Sequence, residues 1–235
     1  YHKTRSVPQD VRRKGANFPG AGVRARDQAE MIDWNMKQGE LFCFPEQHLT
    51  SAVEGFWLAE DYLSMMEEGD LLQRVEKGPW ETDWKRRIQQ YGIGYGGRAG
   101  GRTTLVRDFP DWLQTLAERV ARDAGFERVP DNCVVNEYIP PLGIAPHKDY
   151  AAFGPRVACL SLGSDIVMDL LAPNSSRRVE AYVPARSLWV LSGKARTEWQ
   201  HGIATRLSDN IHGEKQPRAR RVSITFRTAR ERIAP

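Results

Sequence analysis

From residue 133 onward the chain is cut into short runs rich in β-branched and aromatic residues, and this limits the available folds more than any other feature. The runs cover residues 133–138, 157–162, 166–171, 179–183, 187–191 and 222–226, with Pro, Gly, Asn or Ser between them. Several short strands at intervals of roughly 8 to 12 residues are the pattern of a β-sandwich or barrel. The double-stranded β-helix, a jelly roll with an open mouth, is one such form.

Helices belong to the first half. Residues 55–63, GFWLAEDYL, suit a strand that stops at Ser64. Ser64 and Glu67 form a capping-box pair, in which each side chain satisfies the other's backbone amide. That pair opens a helix whose Leu71, Leu72 and Val75 face inward and which ends near Gly78-Pro79. A second helix follows Asp108, with Trp112, Leu113, Leu116 and Val120 at helical spacing and Gly125 as its stop. The expected fold is therefore α+β, a double-stranded β-helix (jelly roll) with N-terminal helices buttressing one sheet.

A chain of 235 residues allows one catalytic domain, expected over residues 40–235. Residues 1–39 are expected to form a basic, flexible N-terminal arm, carrying Lys3, Arg5, Arg12, Arg13, Lys14, Arg24 and Arg26 with almost no apolar periodicity. Such an arm is either a solvated tail or a contact for nucleic acid. The net charge of +4 permits a polyanionic partner without requiring one. No apolar run approaches the roughly 18 to 20 residues that span a bilayer, and the first residues lack the apolar segment of a secretory signal. Cys43, Cys133 and Cys159 are odd in number, widely spaced and free of CxxC pairing. They suggest neither a disulfide framework nor a thiolate zinc site, so a reducing cytoplasmic or nuclear compartment is expected.

His147-Lys148-Asp149 follows Pro140-Pro141 and sits where a strand is expected to begin, so alternation aims residues 147 and 149 at one face. An imidazole and a carboxylate suit a divalent first-row metal. A third ligand from a distant strand would complete a two-His-one-carboxylate facial triad, with positions open for a bidentate cosubstrate and O2. Alone the triplet says little, because a chain with five histidines shows it readily by chance. His2 lies in the arm, His48 precedes the capped helix, and His212 lies in the polar stretch 207–220. His201, in Trp-Gln-His-Gly directly after an expected strand, is the best third ligand.

In Arg221-Val-Ser-Ile-Thr-Phe-Arg227, period-two alternation puts both arginines on one strand face with Ser223 and Thr225. A guanidinium binds a carboxylate bidentately, and burying it requires the partner charge, so two on one face invite a dicarboxylate such as 2-oxoglutarate. Protective charges on an exposed strand edge are the alternative. Asn136 and Tyr138 share a face of an earlier strand. They would either hydrogen-bond carboxylate oxygens at a cavity wall or pack with polar tips outward.

Asn136-x-Tyr138, His147-x-Asp149, Ser161-Leu-Gly163, His201-Gly202 and the strand 221–227 together resemble, in order and spacing, the AlkB family of nucleic-acid dioxygenases over about residues 55–230. The resemblance implies that His147, Asp149 and His201 bind Fe(II). Arg221 and Tyr138, helped by Ser223, would take the distal carboxylate of 2-oxoglutarate, with Thr225 on the same wall. Arg227 and Asn136 would serve the end that chelates iron. Residues 84–92 resemble the family's nucleotide-recognition lid, expected at about residues 80–107, with Trp84 and Tyr91 stacking on the target base and Arg86 and Arg87 meeting phosphates. Equally open is that Trp84 packs on the domain and that Lys85, Arg86 and Arg87 form a solvated basic turn.

The reaction implied consumes Fe(II)-bound 2-oxoglutarate and O2, yields succinate and CO2, and hydroxylates a C–H bond. On an N-methyl group the hydroxymethyl product loses formaldehyde. The resemblance points to demethylation of N-alkylated bases in RNA or single-stranded DNA, by a monomer. Several repair members carry acidic residues after the HxD, whereas this chain reads Tyr150-Ala-Ala-Phe153. Residues 152–169 and 186–193 look more like the branch that hydroxylates a modified wobble uridine in tRNA. The RNA-recognition and methyltransferase domains of that branch do not fit here. A jelly-roll binding module without turnover and a protein side-chain oxidase are further alternatives.

Overall fold

The computed structural model describes residues 52–82, 85–95, 103–173 and 177–230. The expected N-terminal arm, His2, Cys43 and His48 lie outside the described residues. In chain order the elements are β1 (Phe56–Ala59), α1 (Met65–Glu76), β2 (Ile88–Tyr95), β3 (Thr103–Arg107), α2 (Asp111–Asp123), β4 (Asn132–Tyr138), β5 (Ile144–His147) and β6 (Phe153–Leu162). They continue with β7 (Ile166–Leu171), β8 (Arg178–Val183), β9 (Ser187–Leu191), α3 (Gly193–Thr197), β10 (Gln200–Ile203), β11 (Ser208–Ile211), β12 (Glu214–Pro217) and β13 (Arg221–Ala229).

The capping box forms as the sequence requires: Glu67 N donates to Ser64 Oγ at 3.2 Å, and Ser64 N donates to the Glu67 carboxylate at 2.8 Å. Leu71 and Val75 are buried and Leu72 is half-buried. α2 begins at Asp111 rather than just after Asp108, because Pro110 is the extended N-cap and a proline disfavours helical backbone in the residue before it. Its Leu113, Leu116 and Val120 are buried, each stabilising the fold by roughly 1.5–3 kcal/mol. Gly125, at φ +68°, ends the helical path.

The larger sheet has the order β1-β9-β6-β13-β4-β2-β3, the smaller β5-β10-β7-β8, and β11 and β12 form a separate hairpin. α1 and α2 pack with Val222, Ile224 and Phe226 on the outer face of the larger sheet. Its inner face meets the smaller sheet through Cys159, Met168, Leu170, Trp189 and Leu191. The expected double-stranded β-helix, with helices buttressing one sheet, is the fold observed. β13 shows how the pattern works. Its apolar residues alternate toward the helices, which turns Arg221, Ser223, Thr225 and Arg227 into the space between the sheets.

Two regions form strands that the sequence reading did not name. β2 and β3 form a hairpin at the edge of the larger sheet, within the stretch where a lid is expected. The polar stretch 207–220 contains the β11–β12 hairpin, held by a buried Asp209 that accepts from Arg206, Arg218 and the amide of Val167. Among the described residues no helix is long and apolar enough to cross a membrane.

Candidate active site

β5 and β10 lie antiparallel with His147 directly opposite His201, and the two ring centroids are 4.4 Å apart. A cross-strand pair is the closest approach a sheet offers two side chains. Gly202 permits it, since a Cβ there would meet Pro146 Cα at 2.9 Å and Ile144 O at 3.0 Å. His147 therefore ends a strand rather than beginning one, and His201 lies within a strand rather than after it. The expectation missed β5 and β10 because each has four residues. His147 Nδ1 is 2.9 Å from the carbonyl of Ala145. A carbonyl only accepts, so Nδ1 donates and Nε2 is the nitrogen left to face a metal.

Asp149 lies in the loop beyond β5, so strand alternation does not aim it. Two arginines place it instead. Arg227 donates to Asp149 Oδ1 from Nε at 2.7 Å and from Nη2 at 2.6 Å. Arg196, buried on α3, donates to the backbone carbonyls of Asp149, Tyr150 and Phe153. The sequence reading overlooked Arg196, although an arginine five residues before a candidate histidine ligand was visible. Burial alone would raise the Asp149 carboxyl, but Arg227, then His201, His147 and Arg196, bring it down to about 2. Burial pushes His201 down to about 4 against the opposing pull of Asp149, so the imidazole is neutral at physiological pH. Asp149 Oδ2 is buried without a hydrogen-bond partner, and His201 Nε2 lies 3.6 Å away, too far for one.

All six expected cosubstrate residues, Asn136, Tyr138, Arg221, Ser223, Thr225 and Arg227, line one cavity of about 340 Å3 together with His147, Asp149 and His201. Arg221 is 2% exposed; its Nε donates to Ser161 Oγ at 2.9 Å, and its guanidinium carbon lies 5.3 Å from the Tyr138 ring centroid. Among the described residues no carboxylate pairs with it. Burial raises the Tyr138 phenol, opposed by Arg221 and Arg86, so it remains a hydroxyl donor. Asn136 and Arg227 both line the cavity, each with a different hydrogen-bond partner. Asn136 Oδ1 accepts from Arg86 Nε at 3.0 Å, while Arg227 Nη1 reaches Asn132 at 3.3 Å, its partner across β4 and β13.

The expected substrate contacts divide. Arg86 lines the cavity, and Trp84 lies outside the described residues. Arg87 turns to the opposite face of β4, where it pairs with Glu137 and Glu76 and lies over Trp80. Tyr91 is 3% exposed, donates to Gln89 Oε1 and belongs to the helix-side core. Both are therefore structural residues, because the odd and even positions of this edge face opposite sides of the sheet.

A sequence profile of the 2OG-Fe(II) oxygenase superfamily matches residues 58–227. The human Alpha-ketoglutarate-dependent dioxygenase alkB homolog 4 is 30% identical to this chain, covering 77% of it and 69% of the human protein. The chain belongs to the AlkB family. Another relative, the Xenopus tropicalis tRNA (carboxymethyluridine(34)-5-O)-methyltransferase alkbh8, is 30% identical over 97% of this chain, which spans 40% of that protein's length. In fold, this AlkB-family chain is similar to OsALKBH1, with a TM-score of 0.56 at 17% identity, over 74% of this chain and 98% of that one.

As an AlkB-family dioxygenase, the protein uses Fe(II), 2-oxoglutarate and O2. Among the described residues no three His, Cys, Asp or Glu side chains are placed so that they could hold a metal ion as they stand. The donor chemistry nevertheless fits the iron: two imidazoles, that of His201 neutral, and a carboxylate whose Oδ2 is buried without a partner. The cosubstrate fits the same cavity, where Arg221 is a buried cation lacking a carboxylate.

Proposed function

We propose that this protein oxidatively demethylates N-alkylated bases in RNA or single-stranded DNA, with residues 40–235 as its catalytic unit. His147, Asp149 and His201 would hold the iron. Arg221 and Tyr138 would take the distal carboxylate of 2-oxoglutarate, with Ser223 and Thr225 on the same wall and Asn136 nearer the chelating end. The observation that carries the reading is Arg221. A guanidinium at 2% exposure that bonds a serine hydroxyl, lies beside an aromatic ring and has no carboxylate partner among the described residues calls for an anionic ligand.

When bound, Fe(II) and 2-oxoglutarate would together supply the electrons that activate O2 for hydroxylation of a C–H bond. The chain's own residues bind and orient. Arg227 keeps Asp149 ionised and turned by one oxygen, so the other stays available. The Nδ1 hydrogen bond of His147 fixes its tautomer. Trp189, Met168 and Ile203 keep part of the wall apolar and exclude water.

Single-stranded RNA and DNA carrying one methylated base, incubated with Fe(II), 2-oxoglutarate and O2, should release formaldehyde and succinate together. His147→Ala should abolish both. Absence of formaldehyde from every methylated nucleic acid would refute the reading. Hydroxylation of a modified wobble uridine in tRNA is the second reading, supported by the frog relative's similarity across nearly this whole chain. Mass spectrometry separates the two, as a gain of one oxygen rather than loss of a methyl group.

A further inference from the structure

We infer that the base admitted to this cavity is uncharged and presents carbonyl oxygens, and that alkylated bases carrying a fixed positive charge are disfavoured. The inference rests on the demethylation reading above and narrows it. Among the described residues lining the cavity, the acidic one is Asp149. Its carboxylate is engaged by Arg227 and faces His201, so it offers nothing to an incoming cation.

The basic lining residues are Arg86, Lys148, Arg221 and Arg227. Arg227 is matched by Asp149, and Arg221 would be matched by the cosubstrate's distal carboxylate. Arg86 and Lys148 are left over. Arg86 is half-buried; its Nε donates to the neutral amide of Asn136, and its guanidinium carbon lies 5.4 Å from the Tyr138 ring centroid. Lys148 is exposed between two of the residues that would hold iron. Neither makes an ion pair among the described residues.

A cationic base entering here would meet a guanidinium that has no carboxylate partner among the described residues, in a partly desolvated space where like charges repel more strongly than in water. Arginine also has five donors and no acceptor, so it favours a base edge with carbonyl oxygens over one with an amino group. Charge and hydrogen-bond polarity thus select in the same direction. Exclusion of this kind, through an opposing charge, discriminates between ligands of nearly the same shape.

Nucleic-acid chemistry supplies a matched pair. 3-Methylcytosine is a cation at neutral pH with an amino group, whereas 3-methyluracil is uncharged with a carbonyl at that position, and both carry the methyl on the same nitrogen. Single-stranded RNA containing one or the other in identical context should differ in kcat/KM for formaldehyde release by about tenfold or more, in favour of the uracil. Arg86→Glu should shrink or invert that ratio, and Lys148→Glu, at an exposed position, should move it the same way by less. Equal or better turnover of the methylcytosine by the unaltered protein overturns the inference, as does a ratio that neither variant moves. If no base is oxidised at all, neither by loss of formaldehyde nor by gain of oxygen, the proposed demethylation fails and this inference with it. Oxygen gain on an uncharged uridine without formaldehyde would refute demethylation and leave the charge rule standing.

Discussion

Arg227 brings two guanidinium nitrogens onto one oxygen of Asp149, Nε at 2.7 Å and Nη2 at 2.6 Å from Oδ1, and leaves Oδ2 bare inside the protein. A lysine would supply the charge but not the fork. Arg227→Lys should therefore weaken metal binding by about 10- to 100-fold, the usual effect of losing a partner that orients a ligand. Titration calorimetry with Mn(II) measures this directly, and unchanged affinity would remove Arg227 from that role.

Arg221 makes the opposite kind of contribution. Its charge is buried without a carboxylate, so Arg221→Met should raise the Tm of the cosubstrate-free protein or leave it unchanged. The same substitution should raise the KM for 2-oxoglutarate by roughly 30-fold or more, since truncating one partner of a buried charge pair costs about 2–5 kcal/mol. Thermal unfolding with and without 2-oxoglutarate tests both halves. A large loss of Tm in the free variant would contradict the account.

Arg196 reaches three carbonyls of one loop, and the strand that follows its helix carries His201. Arg196→Gln should loosen residues 149–153, seen as faster amide hydrogen exchange there, and should weaken metal binding by about tenfold. Faster exchange with unchanged metal affinity would limit Arg196 to shaping the loop.

Tyr91 separates a core residue from a stacking residue. Tyr91→Phe removes only the hydrogen bond to Gln89 and should cost about 0.5–1.5 kcal/mol of stability. It should leave the KM for an oligonucleotide substrate as it was, and a changed KM would return Tyr91 to the substrate path.

The sequence made strands of both sheets legible where a β-rich run is bounded by Pro, Gly, Asn or Ser. β7 and β9 have the expected bounds, and the Ser64–Glu67 pair located the start of α1. β5 and β10 were not legible, since four residues carry little periodicity, and their pairing is what brings His147 to His201. Arg221, Ser223, Thr225 and Arg227 could be read as one wall because alternation along a strand is a local rule. The position of Asp149 could not, because it depends on Arg196 and Arg227, which are 47 and 78 residues away in the chain. Arg86 and Arg87 were read alike for a similar reason. Only the register of the β2 edge against β4 decides that one meets Asn136 and the other Glu137.

Asp209 governs the acid limit of the β11–β12 hairpin. Burial raises its carboxyl, but hydrogen bonds and charge from Arg218, with Val167 N and Arg206, hold it below the ordinary carboxylate value. A depressed pKa contributes stability above the unfolded value of about 3.9, and that contribution is lost as pH falls through the lower folded value. Asp209→Asn should cost about 3 kcal/mol at neutral pH and flatten the loss of stability on the acid side. Unfolding curves measured from pH 7 down to pH 3 would show whether the wild type and the variant converge.

The unmatched guanidinium of Arg221 makes the fold itself responsive to a dicarboxylate. A ligand that binds only the folded chain lowers the unfolded fraction as its concentration rises. When the supply of the dicarboxylate falls, the enzyme would not merely idle. It would also unfold more readily, so the same shortage that slows the reaction would thin the pool of folded enzyme.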